Sequence, residues 1–391
     1  MTHNPQTYRY FLLTLDPVHI GTGGTRLGRV DLSIVREPGT RLPKIPGSSL
    51  HGVIRAYAAH RYGKPQCAGQ GEAHCGRPAC PICYTFGYAR DRDRGHAGVV
   101  AIGDARILLF PVYSMVGPVW VSTVNILQEA GFQVRQDGNN VSGEGPFATF
   151  EQKQPLNLGW LMIDPPAQVT ITDPSQASTQ QDNAWESLPD PIRNRVVLVS
   201  DKLFSQIVNS NLEVRTSVSI NPETGAAEEG ALFTYEAIPR ATVLWMDVVV
   251  SDYRDEFPTQ ARLEDWENTL MAENDEAKKA LLVKWGLMKK DQNLQNDKIT
   301  KAREWLQKEQ AKENGQNIWR WQKQQMQGVE QSPKGIVEAG LAWAAYLGVG
   351  GMGTRGFGRI RQVARCEVTD CGAVEKCKPE NAHGDTESTG N

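Results

Sequence analysis

Gly348-Val-Gly-Gly-Met-Gly-Thr-Arg-Gly-Phe-Gly358 lies between a helical pattern over Lys334–Leu347 and a final strand predicted for Arg359–Val363. Glycine recurring this often lets backbone approach a phosphate closely, and Arg355 and Arg359 add positive charge. The spacing is not that of a Walker loop, which ends in Gly-Lys-Ser/Thr. It also follows a helix and precedes a strand, the reverse of the dinucleotide fingerprint. The loop reads as an anion-binding element, with a tight structural turn carrying surface arginines as the alternative.

The segments around it alternate strand and helix. Tyr8–Leu15 is aromatic and apolar, with the length of a buried strand. Gly21-Thr-Gly-Gly breaks it, and Val30–Val35 predicts a second short strand. Pro43-Lys-Ile-Pro-Gly-Ser-Ser-Leu follows; Ser48 or Ser49 suits a helix N-cap, with Leu50, Val53, Ile54, Tyr57 and Ala58 behind at helical spacing to about Tyr62. Lys44, Ser48, Ser49 and Arg55 gather near that helix start, where N–H groups and the dipole favour an anion; an ordinary capped helix is the alternative. Val99–Val112, Val119–Val124, Val196–Ser200 and Thr242–Val250 predict strands, and Asp201–Asn209 a short helix. Val214–Ile220 and Ala231–Tyr235 flank Asn221-Pro-Glu-Thr-Gly, a β-hairpin with a long tip. Residues 131–190 are polar and give no clear pattern. From 259 to 331 Lys, Glu, Gln and Asn dominate, while Leu263, Trp266, Leu270 and Leu281, Trp285, Met288 recur at helical spacing. That segment predicts helices with solvated faces, an insertion rather than core.

Cys67, Cys75, Cys80 and Cys83 fall in one short stretch, C-x7-C-x4-C-x2-C. The closing x2 knuckle brings two thiolates to one tetrahedral ion and the longer gaps return the others, so the module predicts structural zinc with no open position for water. His74 is an alternative to Cys75 as ligand, and unliganded thiols are the alternative to metal. Cys366, Cys371 and Cys377 lie in a polar C-terminal segment expected to be disordered beyond about Val374. The formal net charge is -3, yet residues 1–110 carry twice as many Lys and Arg as Asp and Glu. Attraction to phosphate is local, screened beyond roughly 8–10 Å in physiological salt, so a cationic face suffices. There is no apolar run of membrane-spanning length and no secretion signal at the N-terminus, which predicts a cytoplasmic protein without membrane contact.

Four ordered segments resemble the RAMP superfamily of CRISPR proteins: Leu15-Asp-Pro-Val-His-Ile-Gly-Thr-Gly, Pro43 to Arg55, Gly103-Asp-Ala-Arg-Ile-Leu-Leu-Phe-Pro-Val, and the glycine-rich loop. With Ser219-Ile-Asn-Pro-Glu-Thr-Gly and Tyr235-Glu-Ala-Ile-Pro, the chain is most similar to the repeated backbone subunit of the type III-B (Cmr) complex. The resemblance covers roughly residues 8–252 and 334–363. It implies an α+β fold, a ferredoxin-like or RRM-like palm (1–252 with 333–365) bearing a β-hairpin thumb (about 214–240). The zinc-binding insertion (67–83), the helical insertion (259–331) and the polar tail (366–391) complete the expected organisation. The two insertions depart from the family pattern.

The resemblance further implies copies stacked with other effector subunits along guide CRISPR RNA, each thumb splaying a base pair with single-stranded target RNA. Cleavage of the target at regular intervals would use Mg²⁺ or Mn²⁺. Asp31 matches the family's catalytic aspartate, His19 a histidine of the same loop region, and Tyr235 and Glu236 fall near further cleavage-linked positions. Guide RNA would contact Lys44, Ser48, Ser49, Arg55, Gly350, Gly351, Thr354, Arg355 and Arg359. The rival readings are a non-catalytic guide-RNA scaffold of the same complex and a guide-processing endonuclease of the same superfamily. The thumb and the Gly103-Asp-Ala-Arg segment argue against the last.

Overall fold

The computed structural model describes residues 4–23, 30–69, 74–88, 95–141, 143–173, 184–227, 232–368 and 374–379. The approach to Asp31 (24–29), Ala231, Cys371 and the tail from residue 380 therefore lie outside the described residues. The chain divides into two compact units. One comprises Gln6–Leu50, Ile102–Val248 and Ala344–Asn391; the other comprises Met1–Pro5, His51–Ala101 and Val249–Trp343.

The first unit is mixed α/β and built on a mixed sheet. Strand β1 (Gln6–Thr14) is buried from Tyr8 to Thr14. It lies between β7 (Val243–Val250) and β8 (Ile360–Val368), and a strand paired on both sides reads as a continuous apolar run. Outward from β7 come β2 (Ala105–Val112), β3 (Val119–Ser122) and β4 (Val196–Leu198). The pairings β2–β3, β2–β7 and β1–β8 are antiparallel, whereas β3–β4 is parallel. Taken in chain order, the four long strands β1, β2, β7 and β8 stand in the spatial order second, third, first, fourth. Helix α1 (Gly47–Arg61) separates the first two and α8 (Pro333–Leu347) the last two. Chain order is thus β-α-β-β-α-β. Phe11, Leu13, Leu108, Trp120, Leu127 and Trp245 share one core. Each buried side chain of this size contributes about 1.5–3 kcal/mol of hydrophobic stabilisation. Arg9, inside the apolar strand, is buried and makes a two-pronged contact with Asp247 on β7, both bonds 2.8 Å.

Several boundaries differ from the sequence expectation. The segment 30–35 is not a strand; it makes isolated bridges, Gly21 with Ile34 and Leu32 with Tyr235. The apolar run Val99–Val112 breaks at Gly103-Asp104, because Asp104 turns to the start of α1. The final strand continues to Val368 and pairs antiparallel with β9 (Val374–Pro379), placing Cys366 opposite Cys377 where a disordered tail was expected. Cys366 is disulfide-bonded. Thr123 caps α3 (Val124–Glu129) and Ser200 caps α4 (Asp201–Ser210), each accepting from an N–H three residues on.

The second unit joins both insertions. It contains the later turns of α1, the cysteine module with α2 (Pro81–Phe86), and helices α5 (Gln260–Met271), α6 (Asp275–Lys284) and α7 (Asn296–Gln307). Thr259 and Asn274 cap α5 and α6. Leu263, Trp266, Leu270, Leu281, Trp285 and Met288 are buried, as their spacing predicts. The segment is nonetheless more than a solvated appendage. Tyr62 packs edge-on to Trp321 at 5.3 Å, and the fully buried Lys64 pairs with the fully buried Glu309. A hairpin that the polar composition concealed, Gln310–Glu313 with Gln316–Trp319, follows Glu309. A Cβ on Gly340 would collide with the Ile54 carbonyl, so glycine is what lets α8 meet α1 this closely.

Candidate functional site

The hairpin β5 (Glu213–Ser217) and β6 (Phe233–Ala237) runs antiparallel from Glu213↔Ala237 to Ser217↔Phe233. At its tip the Asn221 side chain accepts from the N–H groups of Glu223 and Thr224, and Gly225 takes a left-handed φ of 66° that favours glycine. Strand β6 organises the residues around Asp31. Asp31 Oδ2 accepts from the Thr234 N–H at 2.7 Å and the Thr234 hydroxyl at 2.9 Å, while the Asp31 N–H donates to the same hydroxyl at 3.1 Å. These bonds, led by the Thr234 backbone N–H, hold the fully exposed carboxyl below its ordinary range. Both Thr234 bonds reach Oδ2, leaving Oδ1 outside that grip.

His19 lies beside the same strand and is buried. Its Nδ1 is 2.6 Å from the Glu236 carbonyl oxygen, which can only accept, so Nδ1 carries the proton and Nε2 is the nitrogen able to accept one. The glycine-rich loop closes over it. Gly351 N–H donates to the His19 carbonyl at 3.0 Å, and a Cβ on Gly350, whose φ is 83°, would collide with that carbonyl. These glycines therefore serve a close approach to His19. The outer loop from Gly353 to Gly356 is exposed, with Arg355 at its apex and 5.9 Å from the Phe233 ring. Arg355 and Asp31 thus approach consecutive residues, Phe233 and Thr234, at the end of the paired hairpin nearer its tip.

The remaining expected residues divide. Tyr235 is buried against Phe357 (5.3 Å) and Phe233 (5.9 Å), edge-on to His19 at 6.1 Å. The Glu236 carboxylate is buried and takes Arg36 at 2.9 Å, so it sets the backbone that carries Asp31 and His19. Arg359 is gripped by both oxygens of Asp16, which the pairing holds below its ordinary range. Helix α1 begins at Gly47, making Ser48 and Ser49 first-turn residues rather than caps. The Gly47 N–H donates to Asp104 Oδ1 at 2.7 Å, and Lys44 pairs with Oδ2. Partial burial opposes that carboxylate, but Lys44 and the N–H hold it below its ordinary range. An internal anion thus occupies the helix start that the sequence offered to phosphate. Arg55 departs further from the expected RNA contact. It is buried and brackets the cysteine module, donating to the carbonyls of Cys67 (2.9 Å) and Gly87 (2.7 Å) and meeting His74 Nδ1 at 2.9 Å. Sequence reasoning gives Thr234 and Arg36 no role, and it takes Asp104 only as part of the Gly103-Asp-Ala-Arg segment. Only Asp104 had a signal, an aspartate following a glycine inside an apolar strand.

Cys67, Cys75, Cys80 and Cys83 bring their sulfurs within 4.8 Å of one another. The separations Cys75–Cys83 (3.7 Å), Cys67–Cys83 (3.8 Å) and Cys67–Cys80 (4.0 Å) suit a tetrahedral ion, since metal–sulfur bonds of about 2.3 Å give tetrahedron edges of about 3.8 Å. His74 is turned to Arg55, leaving Cys75 as the fourth sulfur. Lys64 Nζ lies 3.6 Å from Cys75 Sγ, placing positive charge beside a cluster that is anionic when loaded.

Among the described residues no helix is long and apolar enough to cross a membrane. The chain is 28% identical over 260 residues to the CRISPR system Cmr endoribonuclease Cmr4 of Pyrococcus furiosus, an alignment covering 63% of this chain and 82% of that protein. Its fold is also similar to a chain in the target-RNA-bound type III-B Cmr-beta cryo-EM structure (TM-score 0.46, 13% identity, 64% of this chain and 85% of that one). Oligomeric Cmr4 from Pyrococcus furiosus gives a TM-score of 0.40 at 20% identity, covering 67% of this chain and 89% of that one. The RAMP superfamily pattern matches residues 11–361, from within β1 to the start of β8 and including both insertions, and the chain belongs to the RAMP superfamily.

Proposed function

We propose that this chain is a guide-RNA-binding backbone subunit of a type III-B-like CRISPR effector complex and that it cleaves guide-paired target RNA. The carrying observation is Asp31, a fully exposed, ionised carboxylate fixed by Thr234 of the β5–β6 hairpin. The β-α-β-β-α-β order with that hairpin supports a ferredoxin-like palm and thumb. The named activity of the Pyrococcus furiosus relative supports the chemistry.

Asp31 presents one oxygen outward, and Mg²⁺ is commonly held by one or two carboxylates together with substrate phosphates. Mg²⁺ or Mn²⁺ bound there would neutralise charge developing at the scissile phosphate. The chain's own residues do the rest. Thr234 fixes the carboxylate, Glu236 and Arg36 lock the strand, and His19 presents Nε2 in a set tautomer for a proton. Tyr235 packs the hairpin and positions His19. Arg355, with Gly353 to Gly356, meets guide phosphates, joined by Thr354. The four cysteines hold zinc, which stabilises its own unit and takes no part in cleavage.

Native mass spectrometry of the purified chain with co-purified nucleic acid tests the assembly, and incubation with matched labelled RNA tests the chemistry. The reading expects several copies per RNA and products at regular intervals. A chain that stays monomeric and carries no RNA refutes it. An RNA-bound assembly that leaves target intact with either metal establishes the scaffold reading.

A further inference from the structure

The second unit contains a cavity of about 950 Å³ to which the proposed cleavage site assigns no role. That volume is at the upper end for ligand sites. The lining includes Lys298, Lys301, Glu304 and Trp305, which recur at helical spacing along α7, and Lys308, which caps its C-terminus. Also lining it are Arg77, from the cysteine module, and the short strand pair that sets Tyr88 against His96, rings 5.6 Å apart. Trp285, another lining residue, stacks on Trp305 at 6.0 Å and 22°.

Three observations say what fits. Lys298 is paired with Asp297, but Arg77, Lys301 and Lys308 have no ion-pair partner among the described residues. Against them Glu304 is the remaining carboxylate of the lining, so the cavity is net cationic. Half-exposed Trp305 and Tyr88, with exposed His96, offer flat faces between those cations. Trp285 is 6% exposed, lines the cavity, and its Nε1 donor has no hydrogen-bond partner, so an acceptor is wanting there. Separated cations, ring faces and a buried orphan donor suit alternating phosphates and bases better than a small anion, which needs no rings.

We propose that this cavity binds a segment of single-stranded RNA, its phosphates on Arg77, Lys301 and Lys308 and a base against the Trp305 and Tyr88–His96 rings. The inference rests on the reading of the chain as RNA-binding and gives the two insertions a shared purpose.

The test uses the full chain and a 4-thiouridine-substituted oligouridine, photocrosslinked and mapped by mass spectrometry. Crosslinks are expected on peptides bearing Tyr88, His96 or Trp305. Lys301→Glu with Lys308→Glu should abolish them and lower the slope of log affinity against log salt by about 1.4, two phosphates at about 0.7 each. Both lysines are exposed, so folding should survive, and Lys301→Gln with Lys308→Gln is a milder pair expected to give a partial loss. Their absence from the wild-type chain, or their persistence at full yield in both lysine pairs, overturns the proposal. If the crosslinks behave as expected while none maps near Phe233 or Arg355, the palm reading fails and this one stands.

Discussion

Asp31→Asn isolates charge from shape beside Thr234 of the hairpin. The asparagine side-chain oxygen takes the place of Oδ2 and still accepts from the Thr234 N–H (2.7 Å) and hydroxyl (2.9 Å), so the residue stays docked. What changes is the outward oxygen, which becomes an NH2 group unable to hold a cation or accept a proton. Loss of one acid–base or metal-holding group costs about 10²–10⁴-fold in rate. Single-turnover cleavage of labelled, guide-matched RNA by assembled complex, in Mg²⁺ and in Mn²⁺, should fall by that factor. Guide and target affinities should change by less than about twofold, because every docking bond is kept. Thr234→Val provides a graded control. It removes the hydroxyl bond while keeping the backbone N–H, so the carboxylate keeps its charge and loses orientation, and a misplacement near 1 Å costs up to about 10²-fold. Full-speed cutting by Asp31→Asn complex refutes the assignment. So does Thr234→Val slower than Asp31→Asn, since orientation would then matter without the charge it orients.

Arg355→Glu should weaken guide binding whatever the sequence and flatten its salt dependence by about 0.7 for each phosphate the arginine neutralises, measured by titration at several salt concentrations. Elemental analysis should find about one zinc per chain; Cys67→Ser should lose it and lower the unfolding midpoint of the unit that holds α5 to α7, without altering single-turnover cleavage chemistry. Lys64→Met strands Glu309 in a fully buried site and should cost about 3–5 kcal/mol in denaturant unfolding, part of which Glu309→Gln restores in the double variant. Asp31 titrates below its ordinary carboxylate range, so it stays ionised from pH 8 down past pH 5, and its contribution is lost only as pH falls through the lowered value. A cleavage rate that falls on acidification with a midpoint above pH 5 must then report a group other than Asp31.

The sequence by itself determined the elements and the kinds of chemistry. Helix α1, the β5–β6 hairpin, α4 and α8 stand within a few residues of where apolar spacing put them, because those periodicities follow from local backbone geometry. The four-cysteine spacing also survives intact, since a short chain segment brings its own ligands together. What tertiary structure alone decided is who meets whom. Asp31 is held by Thr234, 203 residues away, Glu236 by Arg36 across 200 residues, and Lys64 by Glu309 across 245. No periodicity encodes such pairings, because a charged side chain looks the same in sequence whether it is solvated or matched across a fold. For the same reason Arg55, Lys44 and Arg359 read as free cations for phosphate, while the fold gives each an internal partner and leaves Arg355 exposed. The helical segment read as a solvated insertion because its charges dominate its composition; only packing against the cysteine module shows that a few of its residues, Glu309 and Trp321 among them, are core.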